Sequence, residues 1–258
     1  MMSVRWSLAA LVAATVTLAG CTGESGAGPS PSPTPSSTAT TEPTPSPIPS
    51  ESEAAEPTSA EPEVSRIGDE QWSRMVETGA WREGCPAGRD DLRVLEVNYV
   101  DFDDEVQRGR IVAHRDVTGS LGRIFDELFA QRFPIERMDP VETFDGDTLE
   151  SLKANNTSAY NCRRPDQINA PQGDSPHANG RAIDINPDLN PWVDVRTRQW
   201  SPRAKHAERT KAPGKILPGD RVVRLFEREG WIWQNIDVPD YMHFDTGFPS
   251  RPWSSPND

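Results

Sequence analysis

The chain has 258 residues, with 40 Asp and Glu against 27 Lys and Arg for a formal net charge of −13. An acidic surface repels phosphate backbones and anionic headgroups, which argues against nucleic acid or anionic-lipid binding as the main task. Ten of the 25 prolines lie between Thr22 and Ser65, so composition separates a short N-terminal part from about 190 residues, enough to bury one real core.

At the start, Arg5 precedes an apolar run from Trp6 to Ala19. The run is too short for a comfortable membrane span and has the charge and length of a secretory signal. Leu18-Ala19-Gly20-Cys21 then resembles a bacterial lipobox. That resemblance implies a lipoprotein signal peptide over residues 1–21, with Cys21 lipidated and the mature chain anchored to the extracellular face of the cytoplasmic membrane, facing the cell wall. Residues 22–66 are rich in Pro, Ser and Thr; Thr22 to Ser65 carries seven acidic groups and no Lys or Arg. Such a segment cannot bury enough apolar surface to offset its ordering entropy, so a disordered stalk is expected. One domain is expected over 67–258.

Within that domain, Asp69 to Glu77 predicts a short helix, and Leu92 to Asp101 with Arg110 to Arg115 predict two strands joined by an acidic turn. Thr118 is placed to cap a helix in which Leu121, Ile124, Phe125, Leu128 and Phe129 recur at three and four residues, ending near Arg132 before Pro134. Asn190 to Gly219 is rich in Pro, Arg and Lys and lacks periodicity, which predicts a long loop bordering a cleft. A second helix begins at Asp220, carries Val222, Val223, Leu225 and Phe226, and stops at Gly230 as a C-cap. Trp231 and Trp233 alternate like a strand, as core and cleft wall. The fold class is α+β. In an exported protein with Cys21 lipidated, Cys85 and Cys162 form an even pair for which a disulfide is the default; thiol ligation of a metal is the competing use.

Two short segments concentrate the chemistry. In RAIDIN, alternation places Ala182, Asp184 and Asn186 on one strand face and Ile183 and Ile185 on the other. His177 lies on the loop leading in, and Gly180 can turn that loop back so that His177 approaches Asp184. In DYMHFD, Met242 and Phe244 point inward while His243 and Asp245 share the opposite side, with Asp240 at the strand entry. His177, Asp184 and His243 are three metal ligands of the kind that holds catalytic zinc with a fourth position open. His114 and His206 read as structural or surface histidines.

SPHANGRAID (Ser175 to Asp184) and DYMH (Asp240 to His243) resemble the signature of the zinc D,D-peptidases, S-x-H-x-x-G-x-A-x-D followed by E/D-x-x-H. The resemblance implies one zinc ion held by His177, Asp184 and His243, with Asp240 as general base. It also implies a small antiparallel sheet flanked by helices, with zinc in a cleft on the sheet, the fold shared with the Hedgehog signalling domain. Family members place a Tyr-Arg-Ser triplet upstream of the first histidine; here Asn161 follows Tyr160. Arg163 is the candidate substitute catalytic arginine, with Arg164 second, and Ser175 and Tyr160 are candidate substrate contacts. The implied activity is D-alanyl-D-alanine carboxypeptidase on peptidoglycan stem peptides. Alternatives are an L-alanyl-D-glutamate-type wall endopeptidase, an amidase, or a non-catalytic zinc-containing wall-binding domain. The expected partners are stem peptides and, through the lipid, the membrane; a monomer is expected.

Overall fold

The computed structural model describes residues 56–167 and 173–256. The expected signal peptide with Cys21, and the expected stalk up to residue 55, lie outside the described residues. Among the described residues, two three-stranded antiparallel sheets, a two-stranded hairpin and four α-helices make up a mixed α/β architecture.

The first sheet runs β1 (Glu63–Ser65), β2 (Leu92–Val100), β3 (Val106–His114), in that order and antiparallel throughout. Helix α1 (Asp69–Glu77) falls where predicted. Helix α2 (Thr118–Ala130) buries Leu121, Ile124, Phe125 and Leu128 against Leu95, Val97 and Ile111 of the sheet. Its N-cap is Val117; Thr118 instead lies inside the first turn and donates its hydroxyl to the Arg115 carbonyl at 3.1 Å. Helix α3 (Thr148–Lys153), which the sequence reading did not propose, is capped by Asp147, whose carboxylate accepts from the backbone N–H groups of Leu149 and Glu150.

The second sheet has the order β4 (Ala182–Asp184), β8 (His243–Asp245), β7 (Ile232–Trp233). Helix α4 (Arg221–Arg228) packs its Phe226 against Phe244 of β8 and Trp231, and Trp231 donates its indole N–H to Ser120 of α2 at 2.9 Å. Both sheets therefore share one core, joined through Ile183 and Ile185. The segment 157–162 runs between them. Ser158 and Asp184 exchange backbone hydrogen bonds of 3.1 and 2.9 Å, and Tyr160 donates to the Val112 carbonyl at 2.8 Å.

Three expectations change. The domain, expected from residue 67, takes in earlier residues: Ala60 is fully buried, its N–H bonds Asp126 of α2 at 3.1 Å, and β1 pairs with Val94 to Glu96. All three β1 side chains are exposed, so its stabilisation comes from backbone pairing, which leaves no apolar signal to read. Strand β3 starts at Val106 rather than Arg110, because a polar run can be a strand when a long partner satisfies its backbone. The region 190–219 is also more ordered than its composition suggests. It contains the hairpin β5 (Trp192–Val193) and β6 (Trp200–Ser201), and its root is held by the buried side chain of Asn190. That amide donates to the carbonyls of Ile185, Asn186 and Gly214 and accepts from the Ile216 N–H and Arg209.

Candidate metal centre

Strands β4 and β8 pair so that Asp184 stands directly opposite His243. The alternation sends Ile183 and Phe244 into the core, both fully buried, and leaves Asp184 and His243 on one face. His177 reaches them from the loop before β4, which closes through Gly180 N–H to His177 carbonyl (3.0 Å) and Arg181 N–H to Pro176 carbonyl (2.8 Å). Gly180 has φ +69°, and a Cβ there would lie 2.6 Å from the His114 backbone nitrogen. Only glycine fits that approach without displacing the sheet edge.

Three ligand atoms converge. His177 Nε2 is 3.0 Å from His243 Nδ1 and 3.3 Å from Asp184 Oδ1, and His243 Nδ1 is 3.1 Å from that same oxygen. Ligands at about 2.0–2.1 Å from a tetrahedral zinc are separated by about 3.3 Å, so this triangle already has the size of one face of a zinc site. The outer nitrogens are fixed too. His177 Nδ1 lies 2.7 Å from the Ala159 carbonyl and His243 Nε2 lies 3.1 Å from Asp245 Oδ2, which sets the tautomers and frees Nε2 and Nδ1 respectively for a metal. Asp245 is itself held by Asn235 (3.0 Å) and the Gly247 N–H (2.8 Å). The donor set, its spacing and its outer partners all fit zinc.

Charges in the cluster are strongly coupled. For His243, burial alone would lower the pKa, but hydrogen bonds to Asp184 and Asp245 and the Asp240 charge hold it well above the ordinary value. Burial would raise Asp184; His177 and His243 override this and hold it well below the carboxylate range. A metal ion must therefore displace a proton from His243. Binding is expected to release protons and to weaken steadily as pH falls, because the folded pKa is raised and the protonated form competes. Calorimetry in buffers of different ionisation enthalpy reads this directly; affinity independent of pH between 6 and 8 would contradict it.

Asp240 enters beside this triangle. Its segment is held by Val193 N–H to Pro239 carbonyl (2.8 Å), Trp192 bridges Asp240 itself, and its backbone N–H donates to Gln234 at 3.1 Å. Its Oδ1 is buried with no hydrogen-bond partner among the described residues. Burial pushes the Asp240 carboxyl up to about 7; His243 and Arg163 pull it down, and Asp184 and Asp245 push it further up.

Arg163 lines the same cleft, of about 630 Å³, with His177, Asp184, Asp240 and His243. Its route there is not a regular strand face. Asn161 accepts the Arg163 backbone N–H at 2.9 Å, donates to Thr148 at 2.9 Å, and so shapes a turn in which Arg163 takes φ +38°. Arg164 points elsewhere, donating to the carbonyls of Thr78 and Asp145. Ser175 sits on the cleft wall, its hydroxyl accepting the Ala178 N–H at 3.3 Å. Tyr160 is a correction: as the neighbour of Asn161 it alternates away from the cleft, and its ring is buried among Met75, Val94 and Val112. His114 is structural, 2.6 Å from Asp116, which Arg181 also holds. His206 lies on a short 3-10 turn. Cys85 and Cys162 are joined in a disulfide with Cα atoms 6.0 Å apart, tying the loop after α1 to the residue before Arg163.

Residues 169–246 match a family model described as D-alanyl-D-alanine carboxypeptidase. The segment that carries this site is similar to that peptidase family. Comparison with curated proteins found no match, and comparison with solved structures found none. The matched segment spans β4, β7 and β8 and holds His177, Asp184, Asp240, His243 and Asp245; Arg163 and the disulfide lie outside it.

Sequence reasoning placed Asp245 beside His243 but gave it no role, although two positions on one strand face is the signal for an orienting carboxylate. It also missed α3 as a cleft wall, and the region 190–219, expected as a loop bordering the cleft, does so through the β5–β6 hairpin. Asp245→Ala is expected to lower zinc affinity by about 10- to 100-fold, the usual effect of losing an outer partner of a ligating histidine. Competition with a chromogenic chelator measures it, and an unchanged affinity would remove Asp245 from the site.

Proposed function

We propose that this protein is a zinc-dependent D-alanyl-D-alanine carboxypeptidase acting on peptidoglycan stem peptides. It works from a lipid anchor at Cys21 on the outer face of the cytoplasmic membrane. The observation that carries the reading is the 3.0–3.3 Å triangle of His177, His243 and Asp184, set beside a buried carboxylate in an open cleft, within the segment matched to the family. The family's fold, with zinc in a cleft on the sheet, is part of the same reading. Cleft wall and ligands come from different elements, which suits a site that must hold its geometry while substrate enters.

His177 Nε2, His243 Nδ1 and Asp184 would hold the ion. Zinc bound there supplies Lewis-acid polarisation of a peptide carbonyl and makes a water molecule acidic enough to attack near neutral pH. Asp240 acts on the protons. Its carboxylate takes one from the attacking water as the new C–O bond forms, and delivers it to the nitrogen of the departing D-alanine as the C–N bond breaks. The cost of keeping Asp240 ionised in a buried site makes it a better base than an exposed aspartate. Arg163 presents a forked guanidinium to the negative charge, either the developing oxyanion or the terminal carboxylate of the peptide. Asp245 keeps His243 in the ligating tautomer throughout.

Incubating the zinc-loaded full chain with muropeptides and weighing the products by mass spectrometry tests the proposal. Release of one D-alanine from pentapeptide stems is expected. Scission between L-alanine and D-glutamate would assign an endopeptidase, loss of the whole stem from its sugar would assign an amidase, and no scission by the zinc-loaded chain would overturn the enzyme reading.

A further inference from the structure

The cleft has a second guanidinium, and nothing in the chemistry above uses it. Arg196 lies at the tip of the β5–β6 hairpin and lines the cleft, its side chain 57% exposed. The buried Asp194 beneath it accepts the Arg196 backbone N–H at 2.8 Å and faces its Nε at 3.6 Å. Among the described residues neither terminal nitrogen of Arg196 donates a hydrogen bond. The fork is thus oriented by its root and open at its end. In the same cleft, Val195, Ile236 and Phe248 present exposed apolar side chains, a surface suited to the body of a peptide rather than to water.

Position says which part of the peptide the fork meets. The hairpin is bridged to Asp240 at Trp192, and at about 3.3 Å per residue its tip stands on the order of 10 Å from that bridge. An extended peptide covers that span in roughly three residues. A carboxypeptidase leaves one residue on the departing side, so the span lies on the acyl side of the scissile bond.

We propose that Arg196 selects peptides bearing a free carboxylate on the acyl side, roughly three residues from the bond cut, over short dipeptides and over forms in which that carboxylate is amidated. This rests on the peptidase reading for its direction, and on the cleft geometry for the contact itself. A carboxylate met by a guanidinium fork forms paired charge-assisted hydrogen bonds; an amide offers one acceptor and no charge.

The test uses two synthetic N-acyl peptides ending in D-alanyl-D-alanine, identical except for a carboxylate or a carboxamide on the third acyl-side residue. Dissociation constants come from calorimetry on the zinc-loaded full chain carrying Asp240→Asn, and KM and kcat from the unaltered protein. The carboxylate peptide is expected to bind about tenfold tighter, with the difference in KM and shrinking as salt is raised. Arg196→Gln should make the two peptides equal and Arg196→Glu should reverse their order, with circular dichroism verifying that each variant is folded. Equal affinities in the presence of Arg196, or a preference that survives Arg196→Gln, would overturn the proposal. If neither peptide is cut, the peptidase reading fails while the dissociation constants still decide what Arg196 recognises.

Discussion

Asp240→Asn is expected to lower kcat by about 10²- to 10⁴-fold, the range removed with a general acid–base group, while zinc still binds. Asparagine has the same shape but cannot take a proton from water or return one to an amine. The ligand triangle does not include Asp240: its three atoms come from His177, Asp184 and His243. Stability should move the other way. Asp240 is buried, its Oδ1 lacks a hydrogen-bond partner among the described residues, and Asp184 and Asp245 repel its charge, so removing that charge should leave the melting temperature equal or higher. Slower turnover with undiminished stability is what a strained functional group predicts and a structural one does not.

The pH profile carries the same sign. Burial, the largest cause, together with the neighbouring charges holds Asp240 at about 7, and a bound cation adds to the forces that lower it. The base works only when ionised, so kcat should fall as pH drops through its pKa, with the acid limb below 7. An Asp240→Asn variant that retains the wild-type rate, or one that loses zinc, would contradict this assignment.

The second large effect is on stability. Replacing Cys85 and Cys162 by serine is expected to cost about 4 kcal/mol by the loop-entropy relation for a closed loop of this length, given the sequence separation of 77. For a domain of this size that is a fall in melting temperature on the order of 10 °C. The bridge has a local effect as well. Cys162 is fully buried, its N–H donates to the Ala80 carbonyl at 3.3 Å, and Arg163 follows it into the cleft. Losing the bridge should therefore raise KM even at temperatures where the variant is folded. Thermal unfolding of the double variant, with the wild type in reductant as a parallel, measures the first effect. A shift under about 2 °C would show that packing alone holds this junction.

Several features could be read before any coordinates. The helix over Asp69–Glu77 lies at the predicted residues, and the apolar face of α2 does too. Alternation in RAIDIN and YMHFD correctly put Ile183, Ile185 and Phe244 in the core and Asp184, His243 and Asp245 on the cleft, because a period of two is imposed by the backbone; Met242, expected inward, instead lines the cleft beside Leu152 and Trp192. The approach of His177 to Asp184 was legible for a similar reason: Gly180 marks a turn that other residues could not make.

Other features had no local signal. Strand β1 gains only backbone bonds from β2, so its sequence looks like the linker before it. Tyr160 is buried away from the cleft and Arg163 reaches it through a turn rather than a strand face, because the chain leaves regular strand geometry at Asn161, whose side chain bonds Thr148 thirteen residues away. The hairpin that carries Arg196 is fastened by Asn190 to carbonyls brought near by folding. What the residues determined alone was the donor chemistry, the spacing within each motif and the faces each strand would show. What the tertiary structure decided was which distant groups meet: the 3.0 Å approach of His177 to His243 across 66 positions, the carboxylate behind His243, and the two arginines on the cleft wall. Local periodicity follows from backbone geometry, but convergence depends on how whole elements pack, and packing is settled only when every apolar face has found its partner.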